Sequence, residues 1–165
     1  MQSLVLPVTV TILVPLAILL LSDWTTPWLL EIPLNCLTAV TSVVFVIGGL
    51  YLLASTIRMF AIIGQGTLAP WNPTQRLVIH GIYRYVRNPM ITGVLLILLG
   101  ESIFFASLMI SIWLLVFFIG NHVYFIKSEE PGLVARFGDD YLRYAENVPR
   151  WIPRRTPWDG TSETT

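Results

Sequence analysis

The sequence predicts an all-α fold: an integral membrane helical bundle of about four transmembrane helices, with a cytoplasmic linker and an amphipathic C-terminal tail. Of the 165 residues, 55% are hydrophobic and 12% are charged, whereas a soluble domain carries about 25% charged residues. The apolar residues gather into long runs, and a backbone that crosses lipid must satisfy its own hydrogen bonds, as a helix does. We expect one membrane domain over residues 1–158 and a disordered tail over residues 159–165.

Four apolar runs define the expected spans. A hydrocarbon core of about 30 Å needs about 20 helical residues, at about 1.5 Å each. The second run contains Gly48 and Gly49, small residues that allow another helix to approach closely. The stretch from Met90 to Ile126 is too long for one helix, so we place a tight turn near Phe105 to Leu108. The predicted spans cover residues 4–21, 34–57, 90–105 and 108–127.

The positive charges predict the orientation of the bundle. All ten Lys and Arg residues lie in the linker before the third span, in the tail, or at the adjacent helix ends. Because cytoplasmic loops carry an excess of Lys and Arg, we expect the linker and the C terminus on the cytoplasmic side of a multi-pass protein. Residues 64–90 and 127–153 then share one membrane face, and we expect ligand binding there.

Composition also excludes several classes of function. The formal net charge is zero, so the chain lacks the basic field that nucleic-acid binding normally requires, and we expect no nucleic-acid partner. Cys36 is the only cysteine, and the two histidines, His80 and His122, lack the spacing of metal ligands, so we expect no metal site. A transporter is poorly supported, because the sequence has no inverted repeat and no pair of broken helices.

The linker carries the first candidate site. It ends in RLVIHGIYRYVRNPM, from Arg76 to Met90. Taken singly, Arg84 and Arg87 are ordinary topology anchors and Tyr83 is an ordinary interfacial aromatic residue. Taken together, cationic and aromatic side chains at a membrane face suit a flat heterocycle joined to a carboxylate. The pattern therefore favours a nucleotide-like cofactor that carries an acid group.

Polar residues in and after the fourth span form the second candidate site. Glu129 and Glu130 suit ribose hydroxyls or an amino group, although a solvated helix end explains them equally well. A spacing of seven residues puts His122 and Glu129 on roughly the same helical face. Asn121 and His122 at that depth must face protein or water, which leaves His122 open between an interhelical hydrogen bond and a substrate-site role. Glu101, in the third span, is likewise open between a functional group and a position near the outer interface.

Two motifs carry a family resemblance. G-x-Y-R-Y-V-R-N-P-M, residues 81–90, precedes the double span, and E-E-x-x-L-x-x-x-F-G-x-x-Y-x-x-Y-x-x-x-V-P-R, residues 129–150, follows it. In these motifs the chain resembles the isoprenylcysteine carboxyl methyltransferase family, to which membrane enzymes that methylate phospholipid amines are related. The resemblance implies a helical membrane enzyme that binds S-adenosyl-L-methionine at its cytoplasmic face. It would transfer a methyl group to a lipophilic small molecule that is dissolved in the membrane lipid. The methyl acceptor would be an isoprenoid-linked carboxylate, a thiol or a lipid amine.

The resemblance also implies roles for individual residues. We assign Arg87 and Glu129 to holding the charged cofactor, and Asn121 and His122 to facing the acceptor, so that Arg87, Asn121 and His122 form the expected catalytic set. The family's cofactor contacts fall on Gln75, Arg76, Leu77, Val78, Tyr83, Asn88, Pro89, Met90, Ile91 and Glu129.

Three positions depart from the family's usual residues. Ile91 stands where the family has tyrosine, Asn88 where the eukaryotic enzymes have histidine, and Phe125 where they have a substrate-side arginine. The missing arginine removes an obvious partner for a substrate carboxylate. The alternative is therefore a non-catalytic membrane binding or scaffold protein that retains the methyltransferase fold.

Overall fold

The structure, a computed structural model, describes residues 6–21, 32–62, 77 and 79–160. Every regular element in those ranges is helical, which confirms the all-α prediction for the described part of the chain. A short 3₁₀ turn, Gly81–Arg84, precedes the third helix. The five helices are α1 (Leu6–Leu21), α2 (Ile32–Ile62), α3 (Pro89–Phe104), α4 (Leu108–Phe137) and α5 (Asp139–Asn147).

Two of the described helices are long and apolar enough to cross a membrane: α2, within Cys36–Met59, and α4, over Leu108–Phe137. Helices α1 and α3 are apolar but shorter; the 16 residues of α3 extend about 24 Å at 1.5 Å per residue. The outer faces carry many exposed large hydrophobic side chains, a surface that suits lipid and not water. The chain is therefore a membrane protein. Examples of the exposed side chains are Leu16, Leu20, Val40, Val44, Ile47, Leu115 and Ile119.

Helices α2 and α3 touch backbone to backbone through glycines. A Cβ atom added to Gly49 would lie 2.5 Å from the carbonyl oxygen of Gly93, and one added to Gly93 would lie 2.8 Å from that of Gly49. A Cβ on Gly100 would lie 2.8 Å from the carbonyl oxygen of Ser42. Small residues are the usual means of close helix approach in lipid. The close approach expected at Gly48 and Gly49 is confirmed at Gly49.

All four long helices contribute to one apolar core. Trp113 of α4 packs against a buried cluster from α1, α2 and α3. Its indole Nε1 also donates a hydrogen bond to the carbonyl oxygen of Val10 at 3.3 Å, which ties α1 to α4. The buried cluster consists of Val10, Leu53, Val94, Ile97 and Leu98.

The turn between α3 and α4 occupies the three residues between Phe104 and Leu108. Ala106 has a positive φ of 48°. Ser107 caps α4, because its hydroxyl oxygen accepts a hydrogen bond from the Ile110 amide at 3.4 Å. The chain reverses here in the interval that the sequence predicts, and the antiparallel pair returns the end of α4 to the start of α3.

Helix α4 continues beyond the predicted end of the fourth span at Lys127. A π-helical turn, Phe125–Glu129, lets the Glu130 amide bond the Phe125 carbonyl, and the helix then runs on to Phe137. Pro131 explains the π turn, because proline lacks an N–H group and its ring crowds the carbonyl of the preceding turn. A helix of 30 residues is about 45 Å long, so its last turns project beyond a core of about 30 Å.

Candidate functional site

The polar end of the bundle is assembled from segments that are distant in sequence. The approach segment, residues 79–88, leads into α3, and the C-terminal strap, residues 148–158, follows α5. Three backbone hydrogen bonds join them: Arg87 N to Pro149 O at 3.0 Å, Arg154 N to Tyr85 O at 2.9 Å, and Trp158 N to Arg84 O at 3.0 Å. The strap therefore lies along the approach segment and fixes its backbone.

A buried cluster built around two tyrosines, the tyrosine cluster, packs against this arrangement. Tyr141 and Tyr144 of α5 and Val148 of the strap are buried together. The Tyr144 hydroxyl donates a hydrogen bond to the Tyr83 carbonyl oxygen at 2.7 Å. Burial raises the pKa of both Tyr83 and Tyr144 above the ordinary value, so both stay neutral hydroxyl groups at physiological pH. The partly buried side chains packed against the cluster include Leu77, Ile79, Leu133, Val134, Phe137 and Trp158.

Glu130 is the centre of an ion-pair network between the approach segment, α4 and the strap. Its Oε1 atom is 3.1 Å from Arg87 Nη1 and 2.6 Å from Arg150 Nε, and its Oε2 atom is 2.9 Å from Arg150 Nη2. The three side chains are 12% (Arg87), 20% (Glu130) and 23% (Arg150) exposed. The hydrogen bond to Glu130 raises the pKa of Arg150. Arg87 Nη1 also makes a hydrogen bond with the Tyr141 hydroxyl at 3.3 Å. Two cations, Arg87 and Arg150, therefore share the carboxylate of Glu130.

A second, aromatic contact joins α4 to the strap. The indole Nε1 of Trp151 donates a hydrogen bond to Nδ1 of His122 at 3.1 Å. Phe118, one turn before His122, stacks on the imidazole ring with centroids 5.8 Å apart and meets the Trp151 ring at 5.4 Å. Phe125 meets Trp151 edge-on at 5.7 Å and is buried. Trp151 is thus enclosed by one face of α4.

The π turn changes which glutamate meets the network. In a regular α-helix, a spacing of seven residues would align His122 with Glu129. The π turn adds one residue to the helix, which shifts the register by about 100°. Glu130 consequently meets Arg150 while His122 meets the next residue of the strap, Trp151. The alignment of His122 with Glu129 that the sequence predicts is therefore not the one in the structure.

The structure brings Arg87 and the acidic end of α4 together, so the two stretches that carry the family motifs meet at one end of the bundle. Glu129 itself is partly buried, and among the described residues no partner within hydrogen-bond or ion-pair distance is found for its carboxylate. Arg87 Nε is buried and makes no hydrogen bond within the described part of the chain. The site therefore holds an unsatisfied cationic donor close to a glutamate pair.

Other predicted contacts lie in different surroundings. Leu77 packs in the tyrosine cluster, and Gln75, Arg76 and Val78 lie outside the described residues. Asn88 precedes α3, and its carbonyl oxygen accepts from the Thr92 amide and hydroxyl.

Next along α3, Pro89 and Ile91 are buried, and Met90 packs against the core of the bundle. Asn121 donates to the Phe117 carbonyl oxygen of its own helix at 2.8 Å.

Sequence reasoning assigned no role to Arg150 or Trp151, and it did not predict that Glu130 would pair with Arg87 and Arg150. The spacing of three between Tyr141 and Tyr144 does signal one helical face. Arg150 and Trp151, however, follow a Val-Pro pair in a segment without helical periodicity, and their partners lie 20 and 29 residues earlier. No local pattern reports such contacts.

Comparisons with known proteins identify the family of the chain. The phospholipid methyltransferase family matches residues 37–140. Over 86 residues the chain is 38% identical to protein-S-isoprenylcysteine O-methyltransferase of Schizosaccharomyces pombe, covering 50% of this chain and 35% of that protein. The chain thus spans about a third of that relative's length. Over 63 residues it is 32% identical to an uncharacterised protein of Haemophilus influenzae, covering 38% of this chain and 100% of that protein.

No solved structure is significantly similar to the chain. The matched region extends from α2, through the approach segment and α3, to the start of α5. It therefore contains the Arg87–Glu130 contact and the approach segment, while the strap and most of α5 lie beyond it. Because that region exceeds half of the sequence, the chain belongs to the phospholipid methyltransferase family.

Proposed function

We propose that the chain is an S-adenosylmethionine-dependent methyltransferase that acts on a lipophilic acceptor at the cytoplasmic face of a membrane. The observation that carries the proposal is the 3.1 Å contact between Arg87 and Glu130. It joins the two motif-bearing stretches at one end of an apolar bundle, where a polar cofactor and a lipid-dissolved acceptor can meet. Family membership and the similarity to a protein-S-isoprenylcysteine O-methyltransferase support the same reaction class.

The proposed topology has all four helices of the bundle crossing the membrane, with the linker and strap in the cytoplasm. Helices α1 and α3 share one core with α2 and α4, and the cations of the polar end favour the cytoplasmic side. Glu146 is exposed on α5 and offers a labelling site. With Cys36 replaced by serine, Glu146→Cys should react with a membrane-impermeant thiol reagent only when the cytoplasmic face is accessible. Labelling in intact cells would contradict this orientation.

The residues present fit the charged end of the cofactor. Arg87 Nε is a buried donor without a partner among the described atoms, and it suits the amino-acid carboxylate. Glu129, which lies partly buried beside Glu130, suits the amino group or the ribose hydroxyls. When bound, the cofactor would supply a methyl group already activated by its sulfonium. Glu130 would keep Arg87 in position through their ion pair.

The chain's own contribution to the reaction is then alignment and exclusion of water. No covalent residue is needed, because an activated methyl group requires mainly an acceptor atom held in line with it. His122 and Asn121 would face the acceptor, which would enter sideways from the lipid between the helices. Phe125, which is buried beside Trp151, makes this part of the site apolar. It would therefore suit the hydrocarbon part of the acceptor.

Two measurements test the proposal together. The purified protein is incubated in detergent with native lipid extract and cofactor labelled on the methyl group, and label is counted in the organic phase. Calorimetry then compares cofactor binding by the wild type, Arg87→Ala and Glu129→Ala. We expect labelled lipid, and weaker binding by both variants. Equal affinity of all three proteins would refute the residue assignment.

Phe125 and Ile91 favour the second candidate, a non-catalytic binder, because both replace polar residues expected from the family and both are buried. A binder would retain calorimetric affinity for the cofactor and label no lipid. Absence of both binding and label would reject both functions.

A further inference from the structure

The contact between Trp151 and His122 determines which imidazole nitrogen carries the proton. An indole N–H group donates hydrogen bonds and accepts none. Since Trp151 Nε1 lies 3.1 Å from His122 Nδ1, Nδ1 must be the accepting nitrogen and carries no proton. A neutral imidazole has one protonated nitrogen. Its proton therefore resides on Nε2.

The surroundings hold both rings in this geometry. Phe118 packs on His122 and on Trp151, and Phe125 closes a further side of the indole. The residue before Trp151 is Arg150, which Glu130 binds through two hydrogen bonds. The indole is thus fixed both by ring packing and by the ion-pair network. Nε2 of His122 makes no hydrogen bond with any residue in the described ranges, so it is available to a ligand.

We propose that Trp151 is a positioning residue that keeps neutral His122 protonated on Nε2, so that His122 offers the acceptor an N–H donor and not a proton-accepting nitrogen. This inference rests on the proposed methyltransferase function and assigns His122 a chemical role within it. His122 neither gains nor loses a proton, so no proton-transfer step is added to the reaction. The acceptor must then present an oxygen or sulfur lone pair near Nε2 in addition to the pair that attacks the methyl group; an amine nitrogen, with one lone pair, could not do both.

The first test locates the proton directly and needs no activity. The chain has only two histidines, and His80 is exposed, so it serves as an internal reference. Nitrogen-15 spectra are recorded on protein labelled at His and Trp, in mildly alkaline detergent solution where a free imidazole is neutral. We expect an unprotonated His122 Nδ1 with a coupling across the hydrogen bond to an indole nitrogen.

Trp151→Phe keeps an aromatic ring but removes the donor. It should abolish the coupling and give His122 the tautomer mixture of His80. A protonated Nδ1 in the wild type, or a His122 spectrum unchanged by the substitution, would overturn the inference.

The second test separates the donor role from the alternatives. Glutamine at position 122 carries an amide N–H near the position of Nε2, whereas asparagine keeps an acceptor near Nδ1 for Trp151 but lacks the distal donor. If His122 donates to the acceptor, His122→Gln should retain more kcat/KM than His122→Asn, by up to roughly tenfold for one hydrogen bond. A purely structural role predicts the reverse order, and a general base predicts equal, severe losses in both.

The two proposals fail in different ways. If the wild type transfers no label to lipid, the proposed function fails and the donor role fails with it, while the nitrogen spectra still decide the tautomer. If the wild type is active and the spectra place the proton on Nδ1, only the inference about Trp151 and His122 is overturned.

Discussion

The apolar bundle and the polar end of this molecule are held together by different kinds of contact. In the bundle, Gly49 and Gly93 let two backbones touch and apolar side chains fill the remaining space. At the polar end, Glu130 joins the approach segment, α4 and the strap through directed ion pairs. Packing of the first kind tolerates many apolar substitutions of similar volume. Contacts of the second kind depend on single atoms, and the proposed chemistry lies among them.

The comparison predicts that the largest effect follows from removing Glu130. Glu130→Ala leaves Arg87 and Arg150 partly buried without their shared anion, and loss of one partner of a buried ion pair costs about 3–5 kcal/mol. We therefore expect a large fall in thermal stability, together with weakened cofactor binding. Unfolding in detergent, followed by circular dichroism, measures the first effect, and calorimetry the second.

The matched control is the exposed pair of Asp140 and Arg143, whose side chains are 71% and 55% exposed. Exposed pairs contribute about 0–1 kcal/mol, so Asp140→Ala should change little. Equal destabilisation by Glu130→Ala and Asp140→Ala would contradict the central role of Glu130.

The next effect belongs to the bundle. Gly93→Ala places a methyl group 2.8 Å from the Gly49 carbonyl oxygen and 3.1 Å from Leu52 Cβ, so α2 and α3 must separate. Overpacking of this kind costs about 1–3 kcal/mol, and thermal unfolding should report this loss of stability. The tautomer of His122 and the ion pairs of Glu130 should remain unchanged. Gly120→Ala is the control, because no other element in the described part of the chain lies within 4 Å of its added Cβ. A destabilised Gly120→Ala would show that helix backbone, and not close approach, governs the result.

The same contrast explains what could be predicted from sequence. Helix formation and the α3–α4 turn follow from local apolar runs, so the bundle was predictable apart from its boundaries. The motif stretches also predicted that Arg87 would meet the acidic end of α4. The choice between Glu129 and Glu130 was not predictable, because helical periodicity assumes 3.6 residues per turn and the π turn before Pro131 breaks that assumption.

The contacts of the strap could not be predicted from the sequence for a different reason. Trp151 and His122 lie 29 residues apart, and neither the indole nor the imidazole belongs to a periodic pattern that names its partner. The family resemblance indicated a cofactor region, but it did not indicate that Trp151 would donate a hydrogen bond to Nδ1 of His122. The contacts most relevant to mechanism therefore emerge only from the folded geometry.

A smaller effect is expected at the tyrosine cluster. Tyr144→Phe removes the 2.7 Å hydrogen bond to the Tyr83 carbonyl oxygen, which should cost about 0.5–1.5 kcal/mol at neutral pH. Burial raises the pKa of Tyr144 above its ordinary value of 10.0. The unfolded chain therefore ionises first, and the wild type loses stability as the pH rises from about 10 upward.

Tyr144→Phe lacks that ionisation, so its stability deficit relative to the wild type should shrink above pH 10.0, the ordinary tyrosine value. Denaturant unfolding at neutral and alkaline pH measures the difference. A constant deficit would mean that folding leaves the pKa of Tyr144 unchanged, and a deficit that grows with pH would mean that folding lowers it; either result would contradict the prediction.

The smallest effect is expected where the strap ends. Asp159 pairs with Arg84, whose Nε also donates to the Trp158 carbonyl oxygen at 2.7 Å. The Asp159 side chain is 69% exposed, and exposed pairs contribute about 0–1 kcal/mol that salt screens further. Asp159→Asn should therefore leave unfolding and cofactor affinity nearly unchanged at physiological salt, with a slight loss at low salt only. Because the Trp158 bonds remain in this variant, a large loss would mean that the strap depends on its terminal ion pair more than on Glu130 and Trp151.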